Sequence, residues 1–558
     1  MKLSNYVMQF IKERVADTVF LVSGGGIMHL VDSLGKSDLN AICCHHEQAA
    51  VIAAEGYGRI KNAPGVALVT TGPGGTNAVT GIAGAWLDSI PMLVIAGQVK
   101  RADITPDGPA GEPTVRQIGF QELNVIDIVR PITKYAVTIE DEWSIRYSLE
   151  RALYEATHGR PGPVFVEIPL DVQAVEIDPD LLDSFDPETV KKVADPTFAE
   201  VTHVVHLLRN AKRPLLMAGN GIRLAQGIPM LRNFINWSGI NVVTPIFTAD
   251  DLVTCEYPFY LGRQGMPGNK EANYAVDNCD VLLIIGERMQ LTQTSYDHAK
   301  FATQAVKIMV DIDEDELLKS TLTIDVPIHC DARAFLKELC RYVTPLNRWV
   351  VPVAPIDPNM YVCDNRCLNV YAFMEKLNSY PGVDVATANG MASVASHQAL
   401  RMHCGQRFIT NAGLGHMGSG LPMAIGACMA NGRDPVICME GDGSIMMNIQ
   451  ELETVRHHNL PLKIFIFNNG GYYSIRNTHR NYFGKIFAAD ADSGVSLPSF
   501  ANLVPAWGLP YVRIRYNTDL YLLDRVMQHH SGPIVCELMI DPNQPMLEKW
   551  TAGMYRGA

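Results

Sequence analysis

The sequence predicts an α/β protein of three doubly wound domains, each a parallel, six-stranded-type sheet flanked by helices. Three observations predict it. Short, continuously apolar runs alternate with longer helical patterns, Gly or Asp follows many of the runs, and two proline-bearing stretches divide the 558 residues. A strand buried on both faces of a parallel sheet is apolar throughout and does not alternate. The runs are GVALVTT from Gly65, PMLVIAG from Pro91, PVFVEIP from Pro163, PLLMAG from Pro214, VLLIIG from Val281, KIMVDID from Lys307, PVICME from Pro435 and LKIFIFN from Leu462. The dividing stretches are Phe185–Thr197 and Val343–Pro358. The expected domains are 1–180, 190–342 and 360–545, each of a size that suits one doubly wound unit.

At the amino terminus, MKLSNYVMQFIKERVADTVF is interrupted by Lys12, Glu13 and Arg14. It reads as an amphipathic helix and has no signal-peptide layout. No apolar run reaches the ~18–20 residues of a membrane span. The net charge is −13 and no block of Lys or Arg stands out, which speaks against nucleic acid and anionic membranes as partners. Twelve cysteines without framework spacing point to reduced thiols in a cytoplasm.

Cys43, Cys44, His45 and His46 stand in a row after the apolar stretch that opens at Leu39. LNAICC reads as a strand, in which neighbouring side chains point to opposite faces, so the four cannot converge on one ion. Cys43 and Cys44 are expected to be core or near-core thiols. Glu47 follows, at the start of a helical pattern. A glutamate buried there needs a partner or stays neutral.

The third piece carries Gly441-Asp442-Gly443 after PVICME, then a helical pattern, then LKIFIFN and the pair Asn468-Asn469. One crossover separates the two polar ends, so both fall at the carboxyl ends of adjacent parallel strands, where open α/β sheets bind ligands. An Asp carboxylate and an Asn carbonyl are hard oxygen ligands suited to Mg²⁺ beside a diphosphate. Glycines let backbone approach phosphate, and a helix start at Ser444 offers N–H donors.

This arrangement resembles the thiamine-diphosphate signature. HEQAAVIAAEGYGR, TTGPGGTNAVTGIAGAWLDSIPMLVIAGQV, GRPGPVFVEIPLDVQ and GLGHMGSGLPMAIGA resemble, in order, motifs of the acetolactate-synthase branch over nearly the full length. The resemblance implies the thiamine-diphosphate-binding fold and a cofactor clamped between chains of a homodimer or homotetramer. It implies that Asp442, the Asn469 side chain and the Gly471 carbonyl hold Mg²⁺, and that Glu47 bonds N1′ of the aminopyrimidine. Around the cofactor it implies Asn77, Gly390, Ser393, Gly415, Gly441, Gly443, Ser444 and Tyr472, with Met417 as an apolar wedge. Gly25, Gly26, Phe120 and Gln121 match positions beside the reacting centre.

The resemblance implies pyruvate as donor. The acceptor is expected to differ, because Thr292 stands where the family usually has an arginine for the acceptor carboxylate, and a threonine cannot supply that bidentate contact. Ser474 and Thr478 replace the usual Met and Trp. The expected acceptor is a nucleotide-linked ketosugar, as in similar proteins of surface-polysaccharide pathways. Tyr472, Tyr473, Arg476 and His479 are its candidate contacts, with Arg476 and Arg480 for a nucleotide diphosphate. The alternatives are an ordinary acetolactate synthase, a 2-oxo acid or acyl-CoA decarboxylase, and a degenerate homologue. Intact Glu47, Asp442 and Asn469 speak against the last.

In the middle piece, Arg160, Gly219, Gly221, Gly286, Arg288 and Asp311 match positions that contact FAD in the branch. Met266–Gly268 reads MPG where Met-His-Gly is usual, so FAD competes with an empty or nucleotide-binding cleft.

Overall fold

The computed structural model describes residues 1–106, 114–247, 252–352 and 367–557. The chain forms three six-stranded sheets, and all pairings between their strands are parallel. The first runs β2 (Asn40–Cys43), β1 (Thr18–Leu21), β3 (Gly65–Val69), β4 (Met92–Gln98), β6 (Pro163–Pro169), β5 (Tyr135–Thr138). The second runs β12 (Val326–His329), β11 (Val306–Asp311), β10 (Val281–Ile285), β7 (Pro214–Ala218), β8 (Asn241–Pro245), β9 (Tyr260–Gln264). The third runs β14 (Phe408–Thr410), β13 (Asp384–Thr387), β15 (Val436–Gly441), β16 (Leu462–Asn468), β18 (Ile534–Met539), β17 (Tyr511–Ile514). All eight quoted apolar runs form strands, and the central ones are buried on both faces.

The first and third sheets share one strand order. The second has the order of a dinucleotide-binding sheet. Each order has a switch point where the chain crosses from one side of the sheet to the other, beside β1/β3, β7/β10 and β13/β15, the place where open α/β sheets offer a crevice. The candidate residues gather there.

The helix Glu47–Lys61 of the first domain packs on the helix Gly420–Ala430 of the third, and their apolar faces share one core. The backbones are too close for side chains at two positions. A Cβ on Gly56 would lie 2.3 Å from the Met423 carbonyl oxygen, and one on Gly426 1.8 Å from that of Ala53. Backbone cannot give way as a side-chain tip can. Gly426→Ala is therefore expected to cost stability at the upper end of the about 1–3 kcal/mol typical of overpacking, read as a lowered denaturant midpoint.

Four expectations need correction. The amino-terminal helix ends at Arg14, and Thr18–Leu21 is a strand, because β-branched Thr18 and Val19 complete the first sheet. Cys44 is buried but Cys43 is exposed, since β2 is an edge strand with only Ile42 turned inward. The segment after Asp442 is one turn, Asp442–Ile445, followed by a separate helix Glu451–His457. The helical turn thus starts at Asp442 and not at Ser444. Of Val343–Pro358, residues 353–358 lie outside the described residues.

Candidate active site

β15 and β16 pair Gly441 with Phe467, so Asp442 and Asn469 lie just beyond neighbouring strand ends. Asp442 is 1% exposed. Its Oδ2 accepts from the backbone N–H groups of Asn469 (3.1 Å), Gly470 (2.7 Å) and Gly471 (3.0 Å), and its Oδ1 from Gly443 (2.7 Å). Burial pushes its carboxyl up to about 6 against these donors, which favour the anion. Gly443 has no room for a side chain, because a Cβ would lie 2.4 Å from the Tyr472 ring. Gly471 takes φ +129° and its Cβ would meet the Ala489 carbonyl oxygen at 2.3 Å. Bare backbone therefore lines the place where phosphate would approach.

Asn469 is fixed from two sides. Its Nδ2 faces the Met391 sulfur at 3.8 Å, and its Oδ1 accepts from Arg476 Nη2 at 3.1 Å. Arg476 also donates to the carbonyls of Asn469 (2.7 Å) and Gly470 (2.9 Å). It is 2% exposed. Its expected role at a nucleotide diphosphate is thus corrected: its donors brace the loop that carries the candidate metal ligands. Arg476→Met should leave those carbonyls without a donor. Mg²⁺-dependent cofactor affinity is expected to fall about 10–100-fold, as when a supporting partner of a metal site is lost. Calorimetric titration reads it.

Ser444 Oγ accepts from Gly418 N–H at 2.8 Å, and Asn448 donates to the Gly418 carbonyl at 2.8 Å, which ties the half-buried Met417 loop to the Asp442 turn. Asn389 donates to the Gly415 carbonyl, while its own Oδ1 accepts from Gly390 N–H at 2.8 Å. Gly390 opens the helix Met391–Ala399 with φ +94°, and Ser393 lies buried within it. His416 was not singled out by sequence. Its two ring nitrogens are buried with no partner among the described residues, and burial pushes it down to about 4, so it is neutral.

In the first domain, His46 caps the helix that Glu47 begins, and Glu47 is half-buried. Asn77, on the helix Pro73–Leu87, donates to Glu47 Oε2 at 2.9 Å. These two helices leave the carboxyl ends of β2 and β3. Gly25 and Gly26 follow β1. Gly26 N–H donates to Thr70 Oγ1 at 3.1 Å, and a Cβ at Gly26 would lie 1.9 Å from Thr71 Oγ1. Gly25 faces open space. Gln121 takes φ +67°, and its carbonyl oxygen would lie 2.2 Å from a Cβ on Gly72. Phe120 is 86% exposed, not core. Glu47, Asn77, Gly25, Gly26, Phe120 and Gln121 thus ring the carboxyl ends of β1, β2 and β3.

Glu451 joins the two halves within a chain. Its buried carboxylate accepts from His45 N–H at 2.9 Å and from Thr454 Oγ1 at 2.6 Å. Sequence reasoning missed it. The signal was an acid in register with Leu452, Thr454 and Val455, the residues that this helix buries.

The candidate acceptor contacts divide. Tyr473 is buried and donates to the Gln544 carbonyl, so it is core and not a contact. His479 Nδ1 accepts from Phe487 N–H at 3.2 Å, and Arg480 is exposed. Ser474 and Thr478 are exposed, and the Thr478 hydroxyl donates to the Ser474 carbonyl at 3.0 Å. Thr292 Oγ1 donates to Gln293 at 3.2 Å.

A cleft of about 490 Å³ opens at the β7/β10 switch point, lined by Arg160, Gly221, Gly286, Arg288 and Asp311 among others. Gly219 lies beneath it, where a Cβ would come within 2.2 Å of the Gly286 carbonyl oxygen. Arg160 pairs with Asp313 and Glu316, each at 2.9 Å, and donates to Ser89 Oγ at 2.9 Å. Burial pushes the Asp311 carboxyl up to about 6.

Comparison with known proteins bears on this geometry. Residues 1–128 match the N-terminal thiamine pyrophosphate binding domain of thiamine pyrophosphate enzymes, 201–339 their central domain, and 388–538 their C-terminal thiamine pyrophosphate binding domain. The chain is 33% identical over 545 residues to the large subunit of acetolactate synthase isozyme 2 of Escherichia coli K12, covering 96% of this chain and 95% of that protein. It is 31% identical to a probable acetolactate synthase large subunit of Methanococcus aeolicus, covering 95% and 90% of the two chains. It is 30% identical to the acetolactate synthase large subunit of Lactococcus lactis, covering 99% and 95%. These names speak of acetolactate and not of sugar nucleotides.

Proposed function

The chain belongs to the thiamine-diphosphate-dependent enzymes of the acetolactate-synthase type, and on that premise we propose that it decarboxylates pyruvate and joins the two-carbon unit to a second carbonyl compound. The observation that carries this reading is the buried Asp442 carboxylate, held by four backbone N–H groups beside the braced Asn469 amide, in a loop with no room for side chains at Gly443. That donor set fits Mg²⁺ and a diphosphate. Asp442, the Asn469 side chain and the Gly471 carbonyl would hold the metal. Thiamine diphosphate, when bound, supplies a nucleophilic carbon and an electron sink for decarboxylation.

The chain's own residues do the rest. Asn77 holds the Glu47 carboxylate in one orientation, and Glu47 takes and returns a proton at its free oxygen. Ser444 and Asn448 fix the loop that carries Met417. Self-association that sets Glu47 of one chain against Asp442 of another is part of the reading. The exposure of Tyr482, Phe483 and Phe487, gathered about His479, supports it, since large apolar groups grouped at a surface mark interfaces.

A second pyruvate is the first acceptor to test, as the names of the relatives favour it. Incubation with pyruvate, thiamine diphosphate and Mg²⁺ alone should release acetolactate. Decarboxylation without acetolactate, together with addition to a nucleotide-4-ketosugar, would overturn that choice. The ketosugar reading survives on Thr292 in place of an acceptor-gripping arginine and on the exposed Ser474 and Thr478 in place of the usual Met and Trp. It has lost Tyr473 and Arg476 as contacts. The central cleft is assigned to a nucleotide, FAD first. The sheet order and the close approach of Gly219 and Gly221 to Gly286 support this, and flavin absorbance of the purified protein tests it.

A further inference from the structure

Far along the chain from these motifs, Cys255 and Glu256 stand in a turn of the central domain, and His403 in a loop of the diphosphate-binding domain. Cys255 Sγ lies 3.7 Å from His403 Nδ1, which lies 2.8 Å from Glu256 Oε1. The three ligand atoms fall within 4.8 Å of one another. We propose that Cys255, Glu256 and His403 form a site for a borderline-soft divalent cation, Zn²⁺ first, which pins the central domain to the diphosphate-binding domain.

The geometry carries this. Zn–S of ~2.3 Å and Zn–N or Zn–O of ~2.0–2.2 Å give tetrahedral edges of about 3.3–3.6 Å. The sulfur–nitrogen edge, at 3.7 Å, is already close to that length. The nitrogen–oxygen edge has to open by about half an ångström, as a hydrogen bond does when a metal replaces its proton. Adjacent residues can face one point here because 255–256 is a turn, unlike the extended segment at Cys43–His46. A thiolate and a carboxylate together balance a dication, and binding releases the thiol proton to solvent. Thiolate, imidazole and carboxylate, with a water to close the tetrahedron, suit Zn²⁺ better than Mg²⁺.

The ligands are also held in place. Cys255 N–H donates to the Met402 carbonyl at 3.1 Å, locking the two loops together. His403 N–H donates to Gln406 Oε1 at 3.3 Å, and the buried Gln406 amide is anchored on the Val383 carbonyl at 2.6 Å. Across the same junction, buried Arg263 donates to the carbonyls of His397 (2.9 Å) and Leu400 (2.8 Å). The site thus sits on a junction already tied by hydrogen bonds, which orient its ligands.

The test uses the full-length reduced protein saturated with thiamine diphosphate and Mg²⁺, and Co²⁺ as the probe. A thiolate-to-cobalt charge-transfer band should grow to one Co²⁺ per chain and be displaced by Zn²⁺. Cys255→Ser and His403→Ala should each abolish it and weaken Zn²⁺ binding by roughly a hundredfold or more, with Glu256→Gln weakening it less. Circular dichroism checks that the variants fold. Zn²⁺ should raise the unfolding midpoint of the wild type and leave that of His403→Ala unchanged. A wild type without the band, or a band that survives in folded Cys255→Ser, overturns the site. A band without a change in midpoint overturns the domain-pinning role.

Discussion

Glu47→Gln is expected to lower kcat by about 10²–10⁴-fold, the span typical of removing a positioned acid–base group, while thiamine diphosphate still binds. Glu47 is half-buried at the first position of its helix, and one oxygen is engaged by Asn77 at 2.9 Å. Glutamine has the same shape and keeps an amide oxygen to accept from Asn77, so the helix start and the cofactor cradle at Asp442 are undisturbed. It cannot exchange a proton at neutral pH. The loss should therefore fall on kcat and leave cofactor affinity nearly unchanged. Asn77→Ala should show a smaller loss in kcat, because the carboxylate remains but is no longer oriented. Pyruvate consumption with cofactor titrated by calorimetry separates the effects. Wild-type turnover by the Glu47→Gln protein would remove the role given to that residue.

The ease of reading Glu47 contrasts with what the sequence hid. The central strands were legible because burial on both faces leaves an unbroken apolar signature, as in VLLII and LKIFIF. Strands β2, β5 and β12 lie at sheet edges and are partly exposed, and such short elements carry little pattern. Asp442 and Asn469 could be placed because one crossover must bring them to adjacent strand ends. Arg476 and Tyr473 could not. An arginine three residues past a tyrosine pair looks like a solvent-facing contact, and only the turn of the helix Tyr473–Tyr482 aims it at the Asn469 and Gly470 carbonyls. Glu451 and His403 were hidden for a different reason. Their partners, His45 and Glu256, come from another domain, and a linear reading has no term for that distance.

Asp442→Asn is expected to weaken Mg²⁺-dependent binding of thiamine diphosphate by at least about a hundredfold, more than loss of a mere supporting partner would. The substitution changes one atom, but no rotamer of asparagine satisfies the pocket. One Asp442 oxygen accepts from three backbone N–H groups and the other from Gly443 N–H. An amide must point its NH₂ at one set or the other. Even in the milder choice, with NH₂ toward Gly443, a donor faces a donor in a buried site, at a cost of about 1–3 kcal/mol. The three bonds to Asn469, Gly470 and Gly471 also lose their charge assistance, and charge-assisted bonds are about twice as strong as neutral ones. Those N–H groups shape the loop that presents Asn469 and the Gly471 carbonyl, so the two remaining ligands shift as the first loses its charge. The defect should appear in affinity before it appears in turnover. Saturating Mg²⁺ and cofactor should recover part of the rate for Asp442→Asn and none for Glu47→Gln, because the first change removes a tether and the second removes a proton carrier.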